Sequence, residues 1–75
     1  RAHAPGGEDF KTRLQETLAK KGSKPEYRVS DEGPDHDKVF HAEVLVEDRL
    51  IGSGSGTSKK AAEQAAAEKA LRTAR

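Results

Sequence analysis

Two adjacent lysines, Lys59 and Lys60, follow Ser58 and open an alanine-rich segment. Cations in the first turn of a helix oppose its partial positive charge, by roughly 0.3–1 kcal/mol each. A pair there makes sense opposite an anion, and the N–H groups of a helix start suit phosphate oxygens. The chemistry on offer is phosphate binding, with Ser58 as the natural N-cap. The preceding run, Gly52-Ser53-Gly54-Ser55-Gly56, reads as a glycine-rich turn, a flexible and narrow exit from strand to helix. It fails as a nucleotide loop. Its third glycine comes one position too early for a dinucleotide fingerprint, and Lys59 lacks the glycine that precedes a P-loop lysine.

Two further sets of residues suit the same kind of partner. Phe10, Leu14 and Leu18 recur every four residues and make a helical stripe. With Phe10 at zero, the stripe centres at about 40°, while Thr12, Gln15 and Glu16 fall at about 200°, 140° and 240°. These are compact hydrogen-bonding groups suited to base edges and ribose hydroxyls. In the polar stretch 31–38, Pro34 stiffens the chain after Gly33, and His36 fits a groove as a hydrogen-bonding wedge. Each set taken alone also reads as an ordinary solvated surface.

Catalytic chemistry finds little support. The carboxylates are scattered, and Ser55 and Ser58 have no histidine base nearby in sequence. Asp35 and Asp37 flank His36, a spacing that reads as a solvated loop rather than a metal site. No cysteine is present, which excludes disulfides and cysteine-based zinc sites and suits a reducing cytoplasm. No apolar run approaches the ~18 residues of a membrane span.

The elements that must carry these groups follow from periodicity. Residues 8–21 read as a helix stopped by Gly22, with Lys20 and Lys21 suited to its end. Tyr27 and Val29 alternate in a strand over 25–30. Residues 31–38 form a loop. Phe40, Ala42, Val44 and Val46 share one face of a strand over 39–47, opposite His41 and Glu43. Residues 47–49 make a tight connection, and Leu50 and Ile51 start a third strand. Residues 59–73 lack glycine and proline and carry six alanines between 61 and 70, a strong helix. Ala62, Ala66 and Ala70 form a small-residue stripe that allows close packing. The predicted fold is α+β, in the order α-β-β-β-α, with a three-stranded antiparallel sheet and both helices on the face carrying Phe40, Val44 and Val46. With 75 residues and 36% charged side chains, the chain makes one small domain that buries only about 60% of its unfolded surface. The net charge of +1 means that any basic surface is local. Residues 1–7 read as a linker or an added remnant, and the chain as a piece of a longer protein.

The series Asp9-Phe10-Lys11-Thr12-x-Leu14-Gln15-Glu16, Gly33-Pro34-Asp35-His36, and Gly52-x-Gly54-x-Gly56-x-Ser58-Lys59-Lys60-x-Ala62-Glu63-Gln64 resembles a double-stranded RNA-binding domain. It is most like the C-terminal domain of bacterial ribonuclease III. The resemblance covers about residues 8–74 and implies shape-based binding spanning about 16 base pairs. Thr12, Gln15 and Glu16 would enter one minor groove. Gly33, Pro34 and His36 would meet the next. Ser58, Lys59 and Lys60 would bridge phosphates across the major groove between them. Glu63 stands where many such domains carry a third basic residue, so one phosphate contact is lost and weak binding is expected. The resemblance further implies a cytoplasmic, RNA-processing parent that dimerises and cleaves through a separate domain with magnesium. For this chain it implies double-stranded RNA as the partner, no cofactor, no cleavage and a monomer. Two other readings are protein–protein association through the sheet and binding of duplex DNA, whose lack of 2′-hydroxyls would leave Gln15 and Glu16 without targets.

Overall fold

The computed structural model describes residues 9–74; the segment 1–7, read as a linker, lies outside the described residues. The elements run α1 (Phe10–Ala19), β1 (Glu26–Glu32), a 3-10 turn (Asp35–Asp37), β2 (Val39–Val46), β3 (Arg49–Gly56) and α2 (Lys59–Ala74). The sheet is antiparallel in the order β1-β2-β3. The predicted order and sheet are therefore present, with shifted boundaries.

Helix α1 starts two residues later than the periodicity suggests because Asp9 caps it, accepting from the Thr12 amide at 3.2 Å. Its end is a Schellman closure. Gly22, at φ 74°, donates to the Ala19 carbonyl and Ser23 donates to that of Leu18. Lys21 turns away from its own helix end and donates to the carbonyl of Ala74, at the end of α2. Strand β1 runs on through Asp31 and Glu32, which pair with Phe40 and Val39, so the loop is 33–38 rather than 31–38. The β2–β3 turn holds Glu47 and Asp48 both at positive φ, the two-residue geometry that matches strand twist.

The glycine run corrects the sequence reading: residues 52–56 are not a turn but the second half of β3. Their side-chain-free face is pressed against α2. A Cβ on Gly52 would lie 2.5 Å from the Ala70 amide nitrogen, and one on Gly54 would lie 2.6 Å from that of Ala66. Two residues of strand rise about 6.6 Å, close to the ~6 Å that four helical residues rise. Glycines at every second strand position therefore meet successive alanine turns of a helix running the other way. Close approach, not flexibility, is what this run provides.

Behind that contact lies a small core of Leu14, Leu18, Ala42, Val44, Ala62, Ala66, Ala67, Ala70, Leu71 and Ala74, with Phe10, Tyr27, Val29, Phe40, Val46 and Ile51 packed at its margin. Among the described residues, only Leu14 and Val44 are large and fully buried. Helix α2 lies directly on the sheet, and α1 packs beside it. A register shift at Val44/Leu45 leaves Ile51 unpaired with β2. There Leu45, which alternation sends outward, is buried as well.

Candidate nucleic-acid interface

Helices α1 and α2 run in the same direction. At their starts the Phe10 amide donates to Gln64 Oε1 at 2.8 Å, and Lys11 Nζ lies 2.7 Å from Glu63 Oε1. At their ends Lys21 meets Ala74. The start of α1 is thereby fixed within two turns of Lys59 and Lys60. The 33–38 loop joins Glu32 to Val39, and Phe40 pairs with Gly56, the last residue of β3. With strands about 4.8 Å apart, the loop emerges at the same end of the sheet as the β3–α2 junction. The three predicted segments, distant in sequence, thus share one end of the molecule.

On α1, burying Leu14 and Leu18 leaves Thr12, Gln15 and Glu16 exposed. Thr12 is bound to its cap, with Oγ1 2.6 Å from Asp9 Oδ2. Gln15 lines an open groove of about 680 Å³ with Lys11, Lys24 and Tyr27. Glu16 lies on the other flank of the helix with Arg13 and Lys20. In the loop, Gly33 sits at φ 98°, where a Cβ would come within 2.7 Å of the Asp37 carbonyl oxygen. The Asp37 amide donates back to the Pro34 carbonyl at 2.8 Å, closing the 3-10 turn that exposes His36. At α2, Ser58 Oγ accepts from the Ala61 amide at 3.1 Å, which makes it the expected cap. Lys59 and Lys60 are exposed in a first turn that holds no acid. Among the described residues neither is in an ion pair. No group of three potential metal ligands occurs among the described residues.

Four residues quoted in the sequence pattern have roles that sequence reasoning missed. Asp9, the cap of α1, and Lys11 in its first turn meet Gln64 and Glu63 on α2, joining the helices through polar contacts. Glu63 is thus occupied: the acid one turn beyond Lys59 is drawn to Lys11, which also lies 5.1 Å from the centre of the Tyr27 ring. The hydroxyl of Thr12, then Gln64, then the Thr12 amide hold the Asp9 carboxyl below its ordinary pKa. Burial, reinforced by the charges of Glu63 and Asp9, pushes the Tyr27 phenol up to about 12. The only advance signal was Asp9, a good capping type three residues before Thr12.

This fold and surface define a class. Residues 10–73 match the family described as double-stranded RNA binding motif, and the chain belongs to that family. Its resemblance to ribonuclease III is specific. It is 55% identical over 65 residues to Ribonuclease 3 of Syntrophobacter fumaroxidans, covering 84% of this chain and 27% of that protein. It is 53% identical over 70 residues to Ribonuclease 3 of Thermobifida fusca, covering 92% and 29%. The chain therefore spans under a third of the length of these relatives. Among solved structures, Arabidopsis HYL1, described in connection with miRNA processing, superposes with a TM-score of 0.77 at 42% identity, over 87% of this chain and 94% of that one. Dicer from Pichia stipitis gives 0.71 at 28% identity, over 85% and 32%.

Proposed function

We propose that this domain binds double-stranded RNA by shape, largely without sequence specificity. The observation that carries the reading is the convergence of three exposed polar segments at one end of the molecule. Thr12, Gln15 and Glu16 enter one minor groove, and Gly33, Pro34 and His36 the next. Ser58, Lys59 and Lys60 hold phosphates across the intervening major groove. A-form RNA hides its base edges in a deep major groove and displays 2′-hydroxyls in a shallow minor one. Lysines between the two minor-groove contacts therefore measure phosphate geometry. We further propose that the domain holds substrate for a cytoplasmic ribonuclease III-like endoribonuclease in RNA processing. Cleavage with magnesium, and dimerisation, belong to another domain of that protein.

The test compares duplex RNA, duplex DNA, an RNA–DNA hybrid and single-stranded RNA at one salt concentration. Duplex RNA binds tightest. Lys59→Ala with Lys60→Ala lowers its affinity more than about tenfold, since a hydrogen bond to a charged group contributes roughly 1.5–3 kcal/mol. Equal binding to all four nucleic acids would reduce the interface to generic electrostatics.

A further inference from the structure

Lys59 and Lys60 share the start of α2 with an acid. Glu63 stands three residues beyond Lys60 and four beyond Lys59, the two spacings at which helical side chains are neighbours. Within α2 it is therefore the natural ion-pair partner of both amines, and a carboxylate so placed would occupy the cations that phosphates need. The structure pairs it elsewhere. Glu63 Oε1 lies 2.7 Å from Lys11 Nζ on the neighbouring helix. Among the described residues neither Lys59 nor Lys60 is in an ion pair. Lys11 is held from a second side, because its ammonium lies 5.1 Å from the centre of the Tyr27 ring, within reach of a cation–π contact. Glu63 has no such second holder: the other cations within a turn of it on α2 are Lys59 and Lys60. Its side chain is 21% exposed, drawn in against α1, while both lysines stand in solvent.

We propose that Lys11 is a positioning residue for the phosphate contact. By holding Glu63 against α1 it keeps the carboxylate off Lys59 and Lys60, and so leaves both amines free for the duplex. The inference rests on the reading of Lys59 and Lys60 as phosphate contacts given above. Glu63 then opposes the phosphates only when Lys11 is lost.

Lys11→Met removes the charge and keeps an unbranched stem on the Tyr27 ring, and Glu63→Gln removes the acid. Affinity for one duplex RNA is measured at low salt for the full chain, each single variant and the two changes combined. Circular dichroism checks that each is folded, and Lys11→Gln takes the place of Lys11→Met if that variant is not. Lys11→Met lowers affinity about threefold, the effect in water of one unit charge about a helical turn from a phosphate. Glu63→Gln alone leaves affinity unchanged, because Lys11 stays on the Tyr27 ring. The combined variant binds like the wild type, and so does Lys11→Arg, which keeps the ion pair. Equal losses in Lys11→Met, Glu63→Gln and their combination overturn the proposal, since the pair would then only brace the helices. A loss in Lys11→Met that Glu63→Gln does not relieve overturns it too, because Lys11 would be touching phosphate itself. A gain in Glu63→Gln alone would show that Lys11 does not restrain the acid. Loss of affinity in the Lys59, Lys60 double variant, with no change in any Lys11 or Glu63 variant, sinks this inference and leaves the interface standing. No loss in the lysine double variant sinks the interface itself.

Discussion

The Tyr27 hydroxyl is shielded from solvent and, among the described residues, has no hydrogen-bond partner. A buried unsatisfied group costs about 1–3 kcal/mol, whereas the ring packs against the core and under Lys11. Tyr27→Phe keeps the ring and removes the orphan, so it is expected to raise stability by about 1 kcal/mol in urea unfolding. Titration gives a second reading. The folded phenol is raised to about 12 from its ordinary 10.0, chiefly by burial. A raised folded value means that the neutral form is favoured in the folded state. Its contribution to stability is therefore intact below pH 10 and lost as pH climbs through about 12. As this is the only tyrosine and there is no tryptophan, phenolate absorbance follows it alone. The midpoint should lie near 12, and the decline in urea stability over that window should flatten in Tyr27→Phe. A midpoint near 10 would mean that the ring stands in water.

At the scale of elements, the β3–α2 contact decides the architecture. Gly54 meets Ala65 Cβ and the Ala66 nitrogen at 2.6 Å from where a Cβ would stand. Its backbone has ordinary strand geometry, so Gly54→Ala is opposed by contact alone. We expect a loss of about 1–3 kcal/mol, the usual cost of forcing extra volume into a packed site, measured as a shift in the urea midpoint. An unchanged midpoint would show that α2 can slide outward freely. This run was half legible in the sequence. Ala62, Ala66 and Ala70 announced a helix that packs closely, but the glycines looked like a turn because glycine is the commonest turn residue. Nothing local distinguishes a glycine that bends from a glycine that admits a neighbour's backbone. The loop was misjudged for a related reason: Asp31 and Glu32 are poor strand formers that the pairing with β2 carries along.

At the scale of the whole molecule, a net charge of +1 and a single exposed lysine pair at the start of α2 predict a shallow salt dependence of duplex RNA binding. The slope of log affinity against log salt should be about −2, since each phosphate neutralised by one of the two lysines contributes roughly −0.9 on duplex DNA. A slope near −10 would require many more phosphate contacts than this lysine pair supplies. The order of elements, the capping role of Ser58 and the exposure of Thr12, Gln15, Glu16, His36, Lys59 and Lys60 were determined by the sequence itself. Periodicity, turn residues and caps act over a few positions, and so they can be read from a few positions. Tertiary structure alone decided the rest. It brought the three segments to one end, pressed Gly52 and Gly54 onto α2, drew Glu63 to Lys11, and set Gln64 on the start of α1. These contacts join residues 52 to 55 positions apart across the two helices, or strand to helix through backbone approach. Such partners are chosen by the packing of the sheet and helices, a property of the folded chain that no short window of sequence contains.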